Sequence, residues 1–180
     1  MAAGRSAYAK SDGLRIAYEV RRSRWRRRPW MALVQVLGFD RSGWAPVVKG
    51  LAAHFALILV DNRGSGRSDQ PTRRLAAHQR SRRGGAGGWY AQMAAGARFG
   101  DLRQGSITAP TLVLHGTDDR VVDPRNARLL ADRIPHARLE MLPGLGHLFF
   151  WEAPDVFVDA VTRFALAPPP MAATSRKEPS

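Results

Sequence analysis

The stretch Thr111–Asp119, T-L-V-L-H-G-T-D-D, decides how the chain is read. Thr111 to His115 is a short apolar run rich in Thr, Val and Leu, with Pro110 before it and Gly116 after it. A run punctuated at both ends in this way reads as a buried strand of a parallel sheet. Two carboxylates, Asp118 and Asp119, follow in the loop beyond its carboxyl end. In open α/β sheets that edge is where ligands and reactive side chains gather. Further along stands a histidine among glycines, Gly144-Leu145-Gly146-His147. An acid at a strand tip followed by such a histidine supplies the orienting and proton-carrying parts of a hydrolytic site.

Working outward, Tyr8–Lys10 and Leu14–Val20 flank Ser11-Asp12-Gly13, and Asp-Gly between alternating segments predicts a β-hairpin. Leu14, Ile16 and Tyr18 alternate with Arg15, Ala17 and Glu19, as in a strand with one buried face. Met31–Leu37 reads as a second buried strand, and Asp40 or Ser42 as the cap of a helix over Trp44–His54. Phe55–Val60 is the next strand, so this part of the chain is a βαβ unit. It ends in the polar loop Asp61–Asp69. Trp89–Leu102 has helical spacing. Pro124–Arg133 reads as a helix with Asp123 as its cap, Arg138–Leu142 as a strand and Asp155–Phe164 as a closing amphipathic helix.

Composition sets the bounds. The 180 residues, 44% hydrophobic, suffice for one globular domain, expected over 1–166 with a disordered tail over 167–180. There is no cysteine, which excludes disulfides and thiolate metal sites and agrees with a cytoplasmic protein. Met1–Lys10 lacks the apolar core of a signal peptide, so secretion is not expected. Met31–Phe39 and Leu51–Val60 are too short to span a bilayer, so no membrane partner is expected. His54, His78 and His136 have no ligand spacing, and neither metal nor cofactor is implied.

The net charge of +13 invites a nucleic-acid reading, and its location argues against one. Six arginines lie in 21–28 and five in 73–83, stretches without an acid, and these account for all but two of the excess charges. A nucleic-acid domain carries its excess on a folded face, whereas 21–28 and 72–88 have no regular period. Specific nucleic-acid binding is therefore not expected. An arginine-rich binder of polyanions stands as an alternative, and it predicts salt-sensitive association.

Four segments together resemble the α/β-hydrolase family, and more narrowly its small esterase, enol-lactonase and cofactor-free haloperoxidase members. They are L-V-Q-V-L-G-F-D-R-S-G-W (33–44), I-L-V-D-N-R-G-S-G-R-S-D (58–69), A-P-T-L-V-L-H-G-T-D-D-R-V-V (109–122) and L-P-G-L-G-H-L-F-F-W-E-A-P (142–154). They occur in the order the family uses. The resemblance implies hydrolysis of a small carboxylic ester or lactone, with Asp119 as the triad acid and His147 as the triad base. It makes the backbone N–H of Leu37 an oxyanion donor.

The chain departs from that pattern at two places. Val36 stands where the family usually has glycine, and the nucleophile elbow G-x-S-x-G is absent. Residues 70–110 are also too few for the strands, helices and cap that the family places there, at about a dozen residues per parallel crossover. The expected fold is a truncated α/β-hydrolase: a mostly parallel sheet with an N-terminal hairpin and flanking helices, its central strands missing. Unpaired edges at Leu33–Leu37 and Thr111–His115 are then sites of self-association.

Ser65, in Gly64-Ser65-Gly66, is a weak nucleophile candidate, because its glycines fit a tight turn after a strand. Ser68 reads as a turn residue, Ser106 as part of a connecting loop and His115 as structural. Two readings follow: a hydrolase in which a His147–Asp119 dyad activates water, and a catalytically inactive remnant of the family.

Overall fold

The computed structural model describes residues 4–11, 13–22, 27–35, 39–69 and 104–168. The expectations for Leu37, for the 72–88 stretch, for a helix over Trp89–Leu102 and for missing central strands fall outside these residues, as does the tail from 169. Six strands are described: β1 (Arg5–Ser11), β2 (Leu14–Arg21), β3 (Trp30–Val34), β4 (Ala56–Val60), β5 (Leu112–Gly116) and β6 (Arg138–Leu142). The α-helices are α1 (Ala45–Leu51), α2 (Arg125–Arg133), α3 (Phe149–Glu152) and α4 (Pro154–Ala165), with 3-10 turns at Arg41–Trp44 and Gln104–Ser106. Contacts divide the chain into two compact units.

The first unit comprises the described residues of Met1–Arg103 with Phe150–Val158. Its sheet has the order β1-β2-β4-β3, with β1–β2 and β2–β4 antiparallel and β3–β4 parallel. The hairpin pairs Ser11 with Leu14, and Gly13 takes φ +77°, the left-handed conformation that a two-residue turn requires. The single buried face expected of β2 is replaced by another arrangement. Leu14 and Ile16 are half-buried and Ala17, on the opposite face, is fully buried. The cause is the loop after β4: the Ala17 N–H donates to Ser68 Oγ at 2.8 Å, and the Asp69 N–H donates to the Arg15 carbonyl.

β3 and β4 form the parallel pair of the βαβ unit. β3 is an edge strand among the described residues, and Trp30 (57%) and Val34 (52%) are exposed rather than buried. Asp40 caps the 3-10 turn by accepting from the Ser42 N–H at 2.8 Å, whereas α1 itself has Trp44 at its N-cap and no side-chain cap, so neither Asp40 nor Ser42 caps the α-helix as expected. Ala45 opens α1, and Pro46 follows in its first turn, where an N–H has no partner within the helix and its loss costs nothing. α1 buries Val47, Val48 and Leu51, and Phe55, Leu57 and Leu59 at and within β4 are buried as well. Full burial of Leu51 or Phe55 contributes about 1.5–3 kcal/mol each. Trp44, Phe150 and Phe157 form an aromatic cluster with centroids 5.2–6.1 Å apart, and Trp151 Nε1 donates to the Gly43 carbonyl at 2.9 Å.

The second unit comprises Gln104–Phe149 and the described residues from Asp159 onward. β5 and β6 pair in parallel, from Leu112 opposite Arg138 to Gly116 opposite Leu142. α2 connects them and buries Ala127, while Ile134, Val113 and Leu142 complete the apolar interior. Pro124 stands at the helix entry, and the Asp123 carboxylate accepts from the Arg125 N–H at 2.9 Å. No helix among the described residues is long and apolar enough to cross a membrane.

Candidate functional site

The second unit brings Asp119 and His147 together. Asp119 lies in the loop leaving β5 and His147 in the loop leaving β6, and parallel pairing puts the carboxyl ends of both strands on one edge. The two loops are bound by their backbones: the Thr117 N–H donates to the Leu142 carbonyl and the Asp118 N–H to the Leu145 carbonyl. Thr117 Oγ1 accepts from the Gly144 N–H at 2.8 Å and donates to Asp118 Oδ1. Gly116 makes the approach possible, since a Cβ there would collide with the carbonyl oxygens of Leu145 and Gly146.

The Asp119 side chain is 2% exposed. Oδ1 accepts from the Val121 N–H at 2.8 Å and the Val122 N–H at 2.9 Å. Oδ2 lies 2.8 Å from His147 Nδ1. Burial pushes the Asp119 pKa up, and the Val122 N–H, the His147 ring, the Val121 N–H and the His147 charge together outweigh it. The net shift is downward, so the carboxylate is ionised at neutral pH and can only accept. His147 therefore carries a proton on Nδ1, directed at Oδ2, and its side chain is 39% exposed.

His115 stands closer to this pair than a structural strand-end residue needs to. Its Nε2 is 3.2 Å from Asp119 Oδ2. Neither this contact nor the role of Gly116 is evident in the sequence, where Gly116 reads only as strand punctuation. The signal that could have pointed to His115 is its i, i+4 spacing to Asp119 across a tight turn.

Ser65 belongs to a different knot of hydrogen bonds, in the first unit. Its Oγ donates to the Phe39 carbonyl at 2.8 Å. Around it Asp61, 1% exposed, accepts from the Arg41 N–H at 2.8 Å, from Arg41 Nη1 at 2.7 Å and from the Arg67 N–H at 3.0 Å. Ser68 Oγ donates to the Asp61 carbonyl, and Arg15 grips Asp69. These bonds make 61–69 a rigid corner in which each of these polar groups has a holding task.

Residues 72–154 match the family described as serine aminopeptidase, S33. Over 113 residues the chain is 34% identical to a poly(3-hydroxyalkanoate) depolymerase of Ectopseudomonas oleovorans, covering 62% of this chain and 40% of that protein. Over 66 residues it is 36% identical to a pimeloyl-[acyl-carrier protein] methyl ester esterase of Nitrosospira multiformis, covering 37% and 24%. The chain thus spans well under half the length of these relatives. Among solved structures, an enol-lactonase from Burkholderia xenovorans LB400 superposes with a TM-score of 0.76 at 21% identity, covering 89% of this chain and 100% of that one. That likeness establishes the fold.

Proposed function

We propose that this chain, which belongs to the α/β-hydrolase fold family, acts on a small carboxylic ester or lactone through the Asp119–His147 dyad. One observation carries the reading: a buried carboxylate, locked through Oδ1 by two N–H groups, presents Oδ2 to His147 Nδ1 at 2.8 Å. With Nδ1–H held by Asp119, the free Nε2 removes a proton from water as the water oxygen attacks the carbonyl carbon. The tetrahedral intermediate collapses as His147 returns that proton to the departing alkoxide, giving acid and alcohol, or the opened hydroxy acid from a lactone. Asp119 holds the tautomer and stabilises the imidazolium. General-base assistance of this kind is worth about 10²–10⁴-fold, so turnover is slow beside that of a serine enzyme.

A second reading is favoured by one specific feature, the absence of a G-x-S-x-G pentapeptide: the chain is a catalytically inactive relative. A chromogenic short-chain ester offered with a serine-directed phosphonate separates the two. The dyad reading expects slow hydrolysis that the phosphonate does not inhibit. Inhibition with labelling of Ser65 would establish a serine nucleophile instead, and complete inertness would establish the inactive relative.

A further inference from the structure

Asp118 and Asp119 stand side by side after β5, and the dyad uses only the second. The first is engaged through its neighbour. Thr117 Oγ1 lies 2.8 Å from the Gly144 nitrogen and 2.9 Å from Asp118 Oδ1. A backbone N–H can only donate, so the hydroxyl turns a lone pair to Gly144 and its single proton to Asp118. The bonds run in series from the Gly144 N–H through Thr117 Oγ1 to a carboxylate, and bonds in series polarise one another. The backbones of the same two residues hold this segment as well. The Thr117 N–H donates to the Leu142 carbonyl at 3.0 Å, and the Asp118 N–H to the Leu145 carbonyl at 2.9 Å. His147 follows two residues after Leu145.

We infer that Thr117 is a positioning residue of the site: its hydroxyl captures the Gly144 N–H, with Asp118 as its own acceptor, and fixes the loop that carries His147 to Asp119. The adjacent carboxylates then divide the task. Asp119 holds the imidazole, and Asp118, through Thr117, holds the backbone three residues before it. The hydroxyl alone carries this role, because Thr117 is exposed and its methyl group fills no core. Valine keeps the branched shape without the hydroxyl, and serine keeps the hydroxyl without the branch. The catalytic meaning of the tie rests on the dyad reading above, and the tie itself does not.

Nitrogen and proton NMR on the full chain at neutral pH tests the inference without any substrate. In Thr117→Val, the Gly144 amide is expected to exchange with solvent about 2- to 10-fold faster, the worth of one hydrogen bond. The low-field Nδ1–H signal of His147 is expected to move upfield, as its bond to Asp119 lengthens. Thr117→Ser should return both readouts toward their wild-type values. A Gly144 exchange rate unchanged in Thr117→Val contradicts the tie. Faster exchange with the His147 signal unmoved, while Asp119→Asn shifts that signal, overturns the positioning role and leaves the dyad standing. A signal unmoved in Asp119→Asn as well overturns both. Should Thr117→Val lose its amide dispersion, Asp118→Ala decides, since it removes the hydroxyl's acceptor and keeps the hydroxyl. The His147 signal should then move upfield, and an unmoved signal overturns the inference.

Discussion

Gly116 ends β5 directly beneath the carbonyl oxygen of Leu145, with no room between them for a side chain. The neighbour is backbone, so it cannot rotate away as a side-chain tip would. Gly116→Ala is therefore expected to push the 144–147 loop outward, at a cost of about 1–3 kcal/mol. It should also break the His147–Asp119 hydrogen bond. Thermal melting and the His147 Nδ1–H resonance report the two effects together.

The Asp119 carboxylate gives the protein an acid limb of stability. Its folded pKa is depressed, by donors that outweigh burial. A depressed carboxylate contributes stability that is fully present above its unfolded pKa, about 3.9, and is lost as pH falls through the lower folded value. Melting temperature measured from pH 7 down to pH 2 should fall steeply below about pH 4. In Asp119→Asn the same limb should be flatter, since the amide does not titrate.

Asp61 holds the corner after β4 through three donors, one of them the guanidinium of Arg41. Its removal leaves two N–H groups without their acceptor and the partly buried Arg41 guanidinium with its longer, 3.6 Å pair to Glu19. Asp61→Ala should cost about 3 kcal/mol, at the lower end for a broken buried pair because Arg41 keeps Glu19 and some solvent contact. Urea denaturation followed by circular dichroism measures this directly.

Ser65 is expected to behave as a corner residue. Ser65→Ala removes the Oγ bond to Phe39 and should cost about 0.5–1.5 kcal/mol. Ester hydrolysis should be unchanged, which a turnover assay at equal folded concentration checks.

Much of this was legible in the residues. Asp12-Gly13 fixed the hairpin, because the two-residue turn dictates the register of the strands beside it. The β6 boundaries, Arg138–Leu142, and the joining of Asp119 to His147 also followed from local pattern and resemblance. The readings that changed were those set by distant chain. The burial of Ala17 depends on Ser68, fifty-one residues away, and no periodicity within β2 can report it. Val34, within the stretch read as a buried strand from its apolar composition, is 52% exposed on a strand that lies at the sheet edge among the described residues. The meaning of His115 and Gly116 lay in partners reached only after folding: Asp119 and Val122 around a turn, and Leu145 from another strand's loop.

The most direct test of the account is the initial rate of short-chain ester hydrolysis by the full chain and by His147→Ala, each verified as folded by its melting transition. A water-activating dyad predicts a slow wild-type rate that falls about 10²-fold or more when the imidazole is removed. An equal rate in the two proteins would contradict it.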